Sequence, residues 1–293
     1  MPYIKSVYHL RESNKFEYKF AGMYGKSGEK KARTNPSPEQ IKRQNQWTRQ
    51  RKLEYLIEDN FYDDDLWMTL KYPAGCRPSV ERIKKDFEKF RRNTKNWYKK
   101  QGAEFKYIYR VEIGKRGGVH IHILANWIDG VEREIKKRWH HAIRDIVDTG
   151  KSYIYYAPMQ TEGAHKLAEY IAKAPDDVIE GQLELFPELE NRNYFLRVSS
   201  SRNLKRPVPE TKTYSRRTLE KTIRDGIVPT EGYYVEPDSV ICGINPVTGY
   251  SYLYYSERKL KKQTKQERVR VRMRGKFDGK INSGKGARFF GES

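Results

Sequence analysis

Cysteine is scarce in this chain: Cys76 and Cys242 are the only two among 293 residues. Two thiols cannot build a disulfide scaffold or, unaided, a thiolate zinc site, and their scarcity suits a reducing compartment. Long apolar runs are missing too. No stretch of about 18 apolar residues occurs, which excludes a membrane-spanning helix. The opening residues, MPYIKSVYHLRE, carry no apolar core for an export signal, so a cytoplasmic location is expected. A phosphate-binding P-loop is absent as well. Gly25-Lys26-Ser27 would need glycine at position 20, where Phe20 stands, and Gly284-Lys285 is followed by Gly286. An ATPase and a fused helicase are thereby set aside. Acids are outnumbered: 38 Asp and Glu face 59 Lys and Arg, a formal charge of +21. Such an excess attracts polyanions at long range and makes nucleic acid the leading partner.

What is present suits a soluble protein with a modest core. Apolar residues make up 37% and charged ones 33%, and the 22 tyrosines outnumber Phe and Trp together. The length allows one sizeable domain with an appendage, or two small domains. The charge is blocked rather than even. Residues 26–52 hold nine basic and two acidic side chains, read as a basic excursion followed by a helical patch. Residues 251–293 hold thirteen basic and four acidic ones, and there Arg268, Arg270, Arg272 and Arg274 alternate with apolar partners. That alternation predicts a cationic edge strand, or an arm that orders on nucleic acid. Residues 176–190 carry six acids and no base, a pattern read as a solvated loop.

Between these blocks the periodicity predicts strand, helix, strand, strand, helix, strand. DLWMTLKY is a strand closed by Pro73 and Gly75. Ser79 caps a helix whose apolar positions Val80, Ile83, Phe87, Phe90 and Trp97 recur at helical spacing. FKYIYRVEI and VHIHILAN form a hairpin about GKRGG. Val131, Ile135, Trp139, Ala142 and Ile146 mark a second amphipathic helix, and KSYIYYAP a fourth strand. This order predicts an α+β, ferredoxin-like fold: a central antiparallel sheet, helices on one face, and an open face for nucleic acid. A further helix follows in TEGAHKLAEYIAKAP. Segments 2–10 and 16–24 are expected to add edge strands, residues around Leu219 and Ile223 a short helix, and ICGI and YSYLYY a hairpin. The expected organisation is a segment 1–60 of edge strands and basic excursion, a core 61–205, a helix-plus-hairpin extension 206–264 and a basic tail 265–293.

The sharpest local feature is His120-Ile121-His122. Strand alternation puts both imidazoles on one face, while Val119, Ile121 and Ile123 point to the other. Two such rings can hold a divalent ion, or simply make surface hydrogen bonds. A hairpin centred on Arg116 sets Glu112 across from His120 and Arg110 across from His122. Glu112, His120 and His122 then make a mixed oxygen and nitrogen set suited to manganese or magnesium at a phosphate, and able to hold zinc. Arg110 is placed either to contact phosphate or to balance charge. In the following helix, Tyr170 and Lys173 share a face, with Lys166 one turn before. A free phenol, with a pKa near 10, is a poor nucleophile, but a nearby metal and ammonium favour its phenolate. By itself, Tyr-x-x-Lys is commonly structural. His165 and the His140-His141 pair are expected to serve packing or surface roles.

These motifs together resemble those of the HUH endonucleases, and more closely the single-tyrosine rolling-circle replication initiators of phages, plasmids and related mobile elements. WMTLKYP resembles the first family strand, EIGKRGGVHIHILANW the metal motif with its upstream Glu, and AEYIAK the tyrosine motif. These motifs span residues 65–173, and the wider resemblance runs through SSSRNLKRP at 199–207. It implies an HUH nuclease fold with an added tyrosine-bearing helix, Glu112, His120 and His122 as metal ligands, Mn2+ or Mg2+ as cofactor, Tyr170 as nucleophile and Lys173 as its helper. It further implies nicking of single-stranded or locally melted origin DNA, a covalent 5′-phosphotyrosine, a 3′-hydroxyl primer and later rejoining of ends. The implied setting is the cytoplasm of a bacterial host, with host helicase and DNA polymerase as partners and a second protomer as one route to turnover. A single-tyrosine transposase or relaxase shares the local chemistry. A noncatalytic binder of single-stranded DNA or RNA could use the same basic, aromatic surface.

Overall fold

The computed structural model describes residues 2–21, 36–113, 118–147, 151, 153–158, 164–172, 197–245 and 250–260. Among these residues no helix is long and apolar enough to cross a membrane. The elements run β1 (Pro2–His9), β2 (Ser13–Phe20), α1 (Pro38–Asn60), β3 (Leu66–Lys71), α2 (Val80–Lys100), β4 (Tyr107–Ile113), β5 (Val119–Ala125) and α3 (Val131–Ala142). They continue as β6 (Ile154–Pro158), α4 (Ala164–Ala172), β7 (Ser199–Ser200), β8 (Glu210–Ser215), α5 (Arg216–Asp225), β9 (Tyr233–Val235), β10 (Ile241–Ile244) and β11 (Ser251–Lys259). The protein is α+β, and every described strand pairing is antiparallel.

The chain divides into two compact units, residues 46–205 and residues 1–45 with 206–293. The unit 46–205 holds the sheet β6-β3-β5-β4-β7. Its first four members are the predicted strand–helix–strand–strand–helix–strand series, in the spatial order of a ferredoxin-like sheet. The local reasons are those of the sequence. Ser79 caps α2 by accepting a hydrogen bond from the Arg82 amide at 3.2 Å. The α2 apolar stripe Val80, Ile83, Phe87 and Phe90 is buried, and so are Val131, Ile135 and Trp139 of α3. These side chains meet Leu66, Met68 and Leu70 of β3 and Val119, Ile121 and Ile123 of β5. The buried Trp139 indole keeps its polar atom satisfied by donating to the Lys71 carbonyl at 2.9 Å. Helix α3 stops at Ala142, so Ile146 lies beyond it and packs against the core from the following turn.

The second face of this sheet is not open along its length. Leu53 and Ile57 from the end of α1, Phe61 just beyond it, and Ala164, Ala168 and Ile171 from α4 are buried with Ile108 and Leu124. The composition of α1 hides this duty, because its first turns are almost wholly polar.

Residues 2–9 and 13–20 do not extend the edge of that sheet. They form a second sheet, ordered β10-β11-β2-β1-β8, with β9 also paired to β11. Tyr3, Phe16, Tyr18, Leu253 and Tyr255 from this sheet are buried with Leu219 and Ile223 of α5. Alternation predicts that a segment is a strand but not its partner, and here the partners of β1 and β2 include β8 and β11 from the far end of the chain. Residues 1–45 and 206–293 thus fall in one unit, and residues 46–205, with the four-stranded series, in the other. The α5 helix begins at the Ser215 cap and is closed by Gly226, whose φ of 88° favours glycine. The hairpin of β10 and β11 pairs as expected.

Candidate active site

Alternation gives β3, β4 and β5 a second set of side chains, pointing away from α2 and α3. The registers align these into three rows across the sheet. Ile108, Leu124 and Trp67 make one row; Arg110, His122, Thr69 and Tyr155 the next; Glu112, His120 and Lys71 the third. Glu112 is opposite His120, and Arg110 opposite His122, as the hairpin symmetry predicts. Helices α1 and α4 cover the first row, and Tyr170 of α4 meets the second and third.

His122 is the centre of this cluster. Its Nε2 lies 3.0 Å from Glu112 Oε2 and its Nδ1 lies 3.0 Å from Thr69 Oγ1. The Tyr170 hydroxyl donates to Glu112 Oε2 at 3.1 Å and stands 3.2 Å from His122 Nε2. Trp67 stacks along the His122 ring, with centroids 5.6 Å apart and planes 10° from parallel, and meets Tyr170 edge-on at 6.1 Å. The imidazole is thus held in plane by an indole and in rotation by a hydroxyl. His120 lies in the neighbouring row, its ring edge-on to that of His122 with centroids 6.0 Å apart.

The charges follow from these contacts. The hydrogen bond from His122 holds the Glu112 carboxyl down at about 2, against the opposing effect of burial. Burial first, and the neighbouring Glu112 carboxylate second, push the Tyr170 phenol up to about 12. Burial, then the Lys71 ammonium, then His122 lower His120 below the ordinary imidazole value, which favours the neutral ring. The cluster without a cation therefore holds an ionised carboxylate and a protonated phenol at neutral pH.

Glu112, His120 and His122 supply one carboxylate and two imidazoles from a single sheet face, a donor set whose chemistry fits a divalent cation. His122 fits in a further respect. With its proton on Nε2 it donates to Glu112; with the proton on Nδ1, where Thr69 Oγ1 accepts it, Nε2 becomes a lone-pair donor. As they stand, the side chains are closed on one another, and among the described residues no group of three or more His, Cys, Asp and Glu is already gathered as a metal cage.

Residues 65–175 match the replication-associated protein ORF2/G2P family. The matched segment runs from the residue before β3 to just beyond α4. It takes in Trp67, Thr69, Glu112, His120, His122 and Tyr170, so the matched segment and the side-chain cluster coincide. No curated protein and no solved structure matches the chain.

Within the matched segment, Arg110 takes a different place from a phosphate contact. It is 5% exposed, and its Nη1 donates to the carbonyls of Tyr170 and Ile171, each at 3.2 Å. The C-terminal carbonyls of α4 lack helical partners, and a buried guanidinium satisfies them while opposing the negative end of the helix dipole. Its position beneath a helix, rather than on an open face, removes it from the surface. Gln46 completes the anchor by donating to the Ala172 carbonyl at 2.7 Å. Lys166 is exposed on α4. His165 serves a structural contact, its Nδ1 lying 2.9 Å from Glu54 Oε2 of α1. Lys173, Arg268, Arg270, Arg272 and Arg274 lie outside the described residues.

Trp67, Thr69 and Gln46 are site residues that the motifs do not single out. The first two carried a signal: once β3 pairs with β5, alternation sets Trp67, Thr69 and Lys71 on the histidine face. Gln46 carried none, since its partner is 126 positions away.

Proposed function

We propose that this protein initiates replication by nicking single-stranded or locally melted origin DNA through Tyr170. The single observation that carries the reading is the convergence of the Tyr170 hydroxyl with Glu112 and His122, at 3.1 and 3.2 Å, inside the replication-associated segment. A replication-associated protein with a carboxylate, two imidazoles and a phenol on one sheet face fits phosphoryl transfer better than binding alone.

Tyr170 Oη attacks the scissile phosphorus, a bond forms between them, and the bond from phosphorus to the 3′ oxygen breaks. The departing oxygen takes a proton and becomes a 3′-hydroxyl, while the downstream strand stays on the protein as a 5′-phosphotyrosine. Glu112 Oε2 is the first acceptor aimed at the phenolic proton. Thr69 and Trp67 hold the His122 ring so that its Nε2 faces the reacting atoms. Arg110 and Gln46 hold the helix turn from which Tyr170 reaches out. Glu112, His120 and His122 would hold Mn2+ or Mg2+, which supplies positive charge to polarise the phosphate and to favour the phenolate. Lys173, three residues after Tyr170 in sequence, would supply an additional cation for the reaction. The 3′-hydroxyl is a primer for a host polymerase, strand opening falls to a host helicase, and reversal of the transfer, at this site or on a second protomer, rejoins ends.

The test uses single-stranded DNA labelled on the downstream side of the cleaved bond, with manganese supplied. The wild-type protein yields a denaturant-resistant adduct whose labelled peptide contains Tyr170. Tyr170→Phe keeps the ring, binds DNA and yields no adduct. An adduct that persists in Tyr170→Phe, or maps to another tyrosine, overturns the assignment.

A further inference from the structure

Strand β6 treats its first three side chains unequally. Ile154 is buried, and Tyr156 packs against the core and donates its hydroxyl proton to the Glu132 carbonyl at 2.7 Å. Tyr155, between them, points to the histidine face and is 70% exposed. Its register partner on β3 is Thr69, whose hydroxyl holds His122. Two residues along β3, in the adjoining row, Lys71 stands opposite His120, and its Nζ lies 4.6 Å from the centroid of the Tyr155 ring. A large ring that gains little from packing is thus kept on the site face with a cation against it, next to the side chains that would handle a phosphate. From β5 to β6 is two strand spacings, about 10 Å, within reach of a nucleotide neighbouring the one at His122.

We propose that Tyr155 and Lys71 form a nucleotide subsite, in which a base adjoining the scissile phosphate stacks on the Tyr155 ring and its phosphate pairs with the Lys71 ammonium. The proposal rests on the reading of this face as a DNA-nicking site and adds the place where the substrate strand is gripped. Stacking on an aromatic ring is tolerant of sequence, because every base has a π face, whereas the ammonium recognises the backbone. The pair therefore serves to hold and orient a single strand rather than to read its sequence. The reactive phosphate would be presented to Tyr170 from a strand fixed on its β6 side.

The experiment measures equilibrium binding of fluorescent oligothymidylate to the full chain with metal chelated, so that no cleavage contributes. A companion probe of equal length carries abasic sugar-phosphate units throughout. Tyr155→Ala is expected to weaken oligothymidylate binding about tenfold and to leave abasic binding unchanged, while Tyr155→Phe stays close to wild type. Lys71→Ala is expected to weaken both probes and to reduce the salt slope by about one. Thermal melts of the variants verify that the exposed substitutions leave the fold intact. With 5-iododeoxyuridine in the oligothymidylate, photocrosslinking should map to Tyr155. Unchanged affinity of Tyr155→Ala, equal losses on both probes, or crosslinks that avoid Tyr155 would overturn the subsite. Failure of the Tyr170 adduct test sinks the nicking reading without touching these binding results, so the two failures are distinguishable.

Discussion

A tyrosine hydroxyl is an unpromising nucleophile at neutral pH, and at Tyr170 the surroundings without a cation make it less promising still. Burial and the Glu112 carboxylate both oppose its ionisation. Removing one of these causes has a definite sign. In the metal-free protein, Glu112→Gln should bring the phenol down from about 12, yet leave it above the ordinary value because burial, the larger cause, remains. Tyrosine-selective carbon NMR against pH reads this directly, and an unmoved resonance would show that the carboxylate does not face the phenol. Thr69 offers a second residue-scale test. Thr69→Val keeps the shape of the side chain but deletes the Oγ1 partner of His122. Losing such an orienting contact commonly costs about 10–100-fold in metal affinity or activity. Adduct formation at limiting manganese should fall by that order and recover at saturating manganese. Full activity at limiting manganese would mean that Trp67 alone holds the ring.

At the scale of elements, the paired strands are what make the site, and they were the part most open to reading. The pleat has a period of two, so centring the hairpin on Arg116 was enough to set Glu112 against His120 and to align His122 with Arg110. Ser79 and the stripe on α2 were legible for a similar reason, since capping and helical spacing act over a few residues. The role of Arg110 was not legible. Its register position was right, but whether a guanidinium on a sheet face meets solvent or a helix depends on what packs above it. The covering of that face by α1 and α4 is a long-range event carried by a handful of apolar side chains in a largely polar helix. Arg110→Met retains the aliphatic stem and removes both hydrogen bonds from Nη1 to the α4 carbonyls. We expect a loss of stability of about 1–3 kcal/mol and faster amide hydrogen exchange in α4, together with slower adduct formation at saturating DNA. Exchange in α4 that matches wild type would assign its anchoring to the packing of Ala164, Ala168 and Ile171.

Over the whole molecule, the positive charge is far in excess of what the site uses. Residues 265–293 alone carry nine basic and three acidic side chains. Each phosphate they neutralise releases counterions, so their contribution should weaken steeply with salt. Deleting residues 265–293 is expected to lower DNA affinity at moderate salt and flatten its salt dependence, while Tyr170 adduct formation persists at saturating protein. If the truncated protein is folded and forms no adduct even with saturating DNA, the tail acts in the reaction itself. The pairing of chain ends was the other feature hidden at this scale. No local signal in YIKSVYH states that its partners are Tyr214 and Thr213 as well as Phe20 and Lys19.

That pairing imposes an order in time during synthesis. The hairpin of β1 and β2 leaves the ribosome before β8 and β11, which complete its two outer edges. At roughly 5–20 residues per second, β8 emerges about 10–40 s after β2. An isolated two-stranded ribbon is marginal in water and presents bare edges to other chains. Residues 46–205 contain every strand of their own sheet and can collapse during that interval. The nascent protein would thus hold a finished 46–205 unit while β1 and β2 still wait for their partners, and those strands are where a nascent-chain chaperone has most to protect.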